Sequence, residues 1–203
     1  MEHNSTIKED LGRLMIFKKI SQWIHQITTV WVMLISLVIM VLFMIFVLPN
    51  QAKSSLTETG SSQSPDTTFF YTPGELYQIA IDYGEDGRQA YVVTRWTFDL
   101  IYPLVYTGFL VFGISWFTQK LTNWPDRWKL GNLIPLLAGI FDFLENSMTS
   151  LVMILFPTRI EGVLILATTF TPIKWILVSG SFILYFIVGT AALFGWINSR
   201  KNS

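Results

Sequence analysis

The sequence predicts an all-α, polytopic membrane protein, a four-transmembrane-helix bundle with one short amphipathic helix on the extracytoplasmic side. Composition is the first reason. Of 203 residues, 51% are hydrophobic and 14% charged, against about 25% charged in an ordinary soluble domain. The second reason is that the apolar residues gather into four runs. Each is close to the roughly 20 residues that cross about 30 Å of hydrocarbon at about 1.5 Å per residue.

Taken in order, residues 1–26 read as a cytoplasmic amphipathic tail. Thr6 and Glu9 have capping-box spacing, and Ile7, Leu11, Leu14 and Met15 follow at helical intervals. Lys18 and Lys19 then either touch anionic headgroups or only fix topology. The first span, 27–48, is an uncharged run longer than a signal-peptide core and followed by no A-x-A site, so it reads as an uncleaved anchor. An extracytoplasmic loop covers 49–97. Its 50–66 portion, rich in Ser and Thr, reads as a flexible tether. Thr72-Pro73-Gly74-Glu75 signals the start of a short helix over 73–83, with Leu76, Tyr77, Ile79, Ala80 and Tyr83 on its apolar face and Gly84 as its stop. This helix is either a lid over the bundle mouth or an interfacial anchor. From Asp86-Gly87-Arg88 a further helix runs into the second span, 98–118, where Pro103 is expected to kink it. A cytoplasmic loop (119–129), the third span (130–156), an extracytoplasmic loop (157–172), the fourth span (173–197) and a cytoplasmic tail (198–203) complete the chain. Lys and Arg divide nine to four between the two sides, with Lys174 apart, which predicts a multi-pass cell-membrane protein with both termini cytoplasmic. Seven of the tryptophans fall near span ends, the usual interfacial position.

The chain has no cysteine, two histidines and zero formal net charge. Those counts exclude a disulfide scaffold, a thiol enzyme and a Cys/His zinc site, and no cofactor or metal is predicted. Without a basic block, nucleic acid is not an expected partner.

The third span carries the strongest signal. Asp142, Glu145, Asn146 and Thr149 recur at i, i+3, i+4 and i+7, one stripe of a helix near the middle of a long apolar run. An acid at that depth costs about 2.5–3.5 kcal/mol on insertion scales, so the stripe is expected to face the bundle interior. The second span offers a matching line of Arg88, Arg95, Asp99, Tyr102 and Tyr106, with Arg95 and Asp99 placed as an i,i+4 pair. On the fourth span, Thr171, Lys174, Ser181 and Tyr185 form a looser stripe, with Lys174 near the outer surface. The first span is expected to be peripheral. Together these stripes predict a polar pocket among spans two, three and four, open outward and floored by Asp142 and Glu145. The alternative is a structural network in which Tyr and Asn donors fix helix register.

The strings Gly87-Arg88-x-x-Tyr91, Asp99-x-x-x-Pro103-x-x-Tyr106 and Asp142-x-x-Glu145-Asn146 resemble a family of small bacterial four-helix integral membrane proteins. The resemblance covers about 69–190 and implies the fold but no activity. A looser, purely architectural similarity to four-helix sterol isomerases lacks any histidine in a span.

Three functions fit these residues. One is binding or transport of a small cation or amine-bearing molecule, held by the carboxylates and aromatic walls. Another is a lipid- or isoprenoid-modifying enzyme with Asp142 or Glu145 as acid/base and Tyr106 as donor. The third is an accessory subunit docking a partner membrane protein. Membrane lipids are expected neighbours, and self-association is open.

Overall fold

The computed structural model describes residues 2–51, 53, 64–65, 68–121 and 125–201. Every regular element among the described residues is helical. Helix α1 spans Glu2–Ile27, and α2 spans Val30–Leu42 before continuing through a π-helical turn at Phe43–Val47. Then come α3 (Pro73–Asp82), α4 (Gly84–Gln119), α5 (Ile134–Leu155) and α6 (Glu161–Lys201). A helical turn at Asp126–Lys129 and a 3-10 turn at Leu130–Leu133 lead into α5. Four stretches are long and apolar enough to cross a membrane: Val30–Gln51, Gly84–Gln119, Leu130–Leu155 and Glu161–Arg200. That is the build of an integral membrane protein.

Local chemistry explains the boundaries. Residues Thr28 and Thr29 separate α1 from α2. The Thr28 hydroxyl donates to the Ile24 carbonyl (2.7 Å), and the Thr29 hydroxyl caps α2 by accepting from the Val32 N–H (3.3 Å). The apolar run that begins at Ile27 is therefore interrupted by a cap, and the spanning helix starts at Val30. At α3 the capping box is complete, with Thr72 and Glu75 satisfying each other's backbone N–H groups. Gly84, at φ +64°, turns the chain from α3 into α4, a conformation that favours glycine over any side chain with a Cβ.

Two expectations need correction. Thr6 does not cap a helix, because α1 is already helical from Glu2. The segment 157–172 is not a loop, since α6 begins at Glu161 and runs on through Pro172. Leu164, Ala167 and Thr171 are buried in the bundle, and packing outweighs the single N–H lost at Pro172. Most of the expected tether, 50–66, lies outside the described residues, as do the side chains of Thr6 and Glu9.

Helix α5 is central. It packs most extensively on α6 and then on α4, while α2 lies against α4, and α1 reaches α4 and the 3-10 turn. Gly113, Gly131 and Gly139 are tight points: an added Cβ would overlap the Tyr185 ring, a Leu184 methyl or the Thr107 hydroxyl. Helix α3 lies across one end of the bundle. Its Leu76, Ile79 and Ala80, with Tyr71 and Tyr83, pack on Tyr91, Val152, Met153, Leu164 and Ala167.

Candidate functional site

Three helices each contribute a charged residue or more to one buried network. From α5, Asp142, Glu145, Asn146 and Thr149 share the face predicted by their spacing, and all four are buried. Glu145 has no exposed surface and Asp142 is 9% exposed. Opposite them, α4 brings Arg95 and Asp99, whose ion pair is 2.5 Å long, and α6 brings Lys174, which pairs directly with Glu145.

Each carboxylate has its own partners. Glu145 accepts from the Thr171 hydroxyl at 2.6 Å, on the oxygen not used by Lys174. Thr171 sits 2.8 Å from the Tyr71 hydroxyl, and since its one proton goes to Glu145, Tyr71 is the donor. Asp142 accepts from the Tyr106 hydroxyl (2.9 Å) and from Asn146 Nδ2 (3.3 Å), both neutral donors. Asn146 Nδ2 also reaches the Asp99 carbonyl at 3.4 Å, while its Oδ1 has no hydrogen-bond partner among the described residues. Arg95 stacks over the buried Tyr91 ring at 4.4 Å. Thr149 donates to the carbonyls of Glu145 (3.0 Å) and Asn146 (3.3 Å), so it seats the α5 backbone and binds neither acid side chain.

The network holds three carboxyl groups and two cations. Arg95 answers Asp99, and Lys174 answers Glu145. Asp142 is the odd one, with no cation of its own among the described ion pairs. In the fully ionised state the cluster therefore carries one excess negative charge, beside an unpaired amide oxygen.

Several sequence expectations change here. Lys174 is buried within the bundle, where it meets Glu145 and is 5% exposed. Tyr185 does not join the network. It packs among Phe109, Phe117 and Phe186, against Gly113, because it lies three turns beyond Lys174 along α6. Tyr102 is half-buried in a ring ladder with Phe43, Phe98 and Tyr106, at 5.4–6.3 Å between centroids. It flanks Asp142's donor and makes no bond to the acid in this arrangement. Nor does the cluster open outward: Tyr71 and Leu76 cover the α3 end, and burial and the Glu145 charge raise the Tyr71 phenol above its ordinary range.

Sequence reasoning missed Tyr71, which lies in irregular chain with no periodicity to read. It also passed over Tyr91 as a contact residue, although 88, 91 and 95 share a helical face. A second polar knot was missed entirely. Asn132 receives a hydrogen bond from Ser21 (2.8 Å) and donates to Ser115 (3.0 Å), and its amide lies 3.2 Å from His25 Nδ1. The other His25 nitrogen meets Thr118 at 3.1 Å. Burial, with a smaller contribution from Lys129, holds the His25 pKa below its ordinary value despite the Ser21 carbonyl.

Among the described residues, no group of three His, Cys, Asp or Glu is arranged to hold a metal ion. No family model, no curated protein and no solved structure matches this chain.

Proposed function

We propose that this chain is a multi-pass cell-membrane protein that binds, and on that basis transports, a single small positive charge at Asp142: a monovalent cation, a proton or a compact primary amine. One observation carries the reading, namely three carboxyls, Asp142 and Glu145 buried and Asp99 partly so, facing two buried cations, with Asp142 left to the neutral donors Tyr106 and Asn146. An excess charge in a low-dielectric interior is costly until something neutralises it. The unpaired Asn146 Oδ1 supplies a second acceptor beside it. Glu145 is a poorer anchor for an amine, because Lys174 already fills that place.

The depth of the cluster belongs to the same proposal. The ladder from Lys129 to Phe156 rises about 40 Å, which matches about 40–45 Å of hydrocarbon plus headgroups. Asp142 stands near its middle, making its carboxylate intramembrane. The nine-to-four division of Lys and Arg supports cytoplasmic termini, with α3 on the outer side.

The test is Asp142→Asn in purified, reconstituted protein. Wild type is expected to show thermal shifts with one of Li+, Na+, K+ or methylamine, or a pH-driven flux in proteoliposomes. The variant should fold, since an amide still accepts from Tyr106, and should lose that response. Retention of every shift and flux by the variant would refute the site.

A further inference from the structure

A groove of about 680 Å³ runs between the first turns of α4 and the last turn of α5, away from the carboxylates. Its lining is of two kinds. Glu85 and Arg88, the latter against Phe156, line the polar part, and Val92, Val93, Met153 and Ile154 supply the apolar wall. Arg88 is preorganised there. Its guanidinium lies 4.0 Å over the Phe156 ring, and one N–H donates to the Ala80 carbonyl at 2.9 Å. A guanidinium has five such donors, so most remain for a ligand. Glu85 sits one helical turn before Arg88, exposed and in no ion pair among the described residues.

The depth fits a lipid. Because Arg88 stacks on Phe156, it stands at the upper end of the ladder that rises about 40 Å from Lys129, which is the outer headgroup level on the membrane reading above. The apolar walls lead from there toward the hydrocarbon, and Val93 and Ile154 are open on that side. Opposite charges one helical turn apart match a phosphate and an ammonium joined by a two-carbon spacer. An anionic headgroup without the ammonium would meet Glu85 unfavourably, and a free phosphate would leave the apolar walls bare.

We propose that this groove holds one phospholipid with a phosphoethanolamine headgroup. The phosphate sits on Arg88, the ammonium on Glu85, and an acyl chain lies along Val92, Val93 and Ile154. The inference rests on the membrane reading and is independent of Asp142.

The test is native mass spectrometry of the full chain released from nanodiscs of phosphatidylethanolamine, phosphatidylcholine or phosphatidylglycerol, with water-soluble glycerophosphoethanolamine as competitor. Retention of one phosphatidylethanolamine is expected, preferred over phosphatidylglycerol by about tenfold, the order of one charge-assisted hydrogen bond. Arg88→Gln should reduce retention of all three lipids. That change also removes the Ala80 bond and can loosen α3, so Glu85→Gln, which breaks no described contact, is the cleaner variant. It should leave folding intact and collapse the preference over phosphatidylglycerol. Val93→Trp should block the groove from its apolar side. Equal retention of the three lipids, a preference that survives both Glu85→Gln and Val93→Trp, or displacement by the chain-free competitor would overturn the proposal. A chain that stays monodisperse without detergent would instead sink the membrane reading beneath it.

Discussion

Lys174 and Glu145 are worth most as a pair, because neither has an exposed charged end through which water could replace the other. Breaking such a pair leaves one uncompensated buried charge and costs about 3–5 kcal/mol. Lys174→Met and Glu145→Gln should therefore each lower the thermal midpoint strongly in detergent, while the double variant recovers much of the loss. A double-mutant cycle on that midpoint checks it, and additive losses would count against direct coupling. Asp142 makes no ion pair among the described residues, so Asp142→Asn should cost far less stability than Glu145→Gln. Spacing on one helix was enough to read the α5 stripe, since positions 142, 145, 146 and 149 must share a face whatever surrounds them. Spacing could not say which acid Lys174 would meet, because that depends on how far α6 slides along α5. The same ignorance of relative height misplaced Tyr185.

The helices differ in how firmly they are held. Helix α1 is tied to α4 and the turn before α5 by Ser21, His25 and Gln119, the last of which donates to the His25 carbonyl at 2.8 Å. Docked His25 has a pKa lowered by burial, so the undocked helix binds more protons. Docking is thus fully present above the ordinary histidine value of about 6.5 and is lost as pH falls below it. Protection factors of the α1 amides, taken against the intrinsic rate at each pH, should fall from pH 7.5 to 5.5, and His25→Gln should flatten that dependence. Between α4 and α6, Gly113 lets the Tyr185 ring lie on the backbone. Gly113→Ala forces ring or helix to move, for a loss of about 1–3 kcal/mol, measurable as a lower denaturation midpoint. Element type was legible for the four spans and for α3, because runs of uncharged residues and the Thr72–Glu75 box speak locally. The start of α6 was not, because an uncharged run can be read only from beyond Lys174, and the buried face of Leu164, Ala167 and Thr171 is revealed by tertiary contact alone.

Across the molecule, the charged network is shut between two plugs. Leu76 and Tyr71 close the α3 end, and Met40, Phe109, Leu110 and Ala138 pack on the other side of Tyr106. Leu76 is fully buried, and Leu76→Ala should cost about 2–5 kcal/mol and raise hydrogen exchange in α3 ahead of α5. Tyr71→Phe removes only the link to Thr171, so it should loosen α3 while leaving the α5–α6 contact intact. Exchange rising equally in all helices would mean that α3 is not a separate cap.

The unequal lengths of α5 and α6 have one more consequence. With 22 residues α5 measures about 33 Å, whereas α6, with 41 residues, reaches about 62 Å. A bilayer that thins or swells by a few ångströms still falls within the length of the longer rod and soon runs past the ends of the shorter one. The shorter rod carries every acid of the stripe. On the membrane placement proposed above, its fit to the hydrocarbon sets how high those acids float, and membranes of different thickness would hold them at different altitudes while the long rod merely stands further proud.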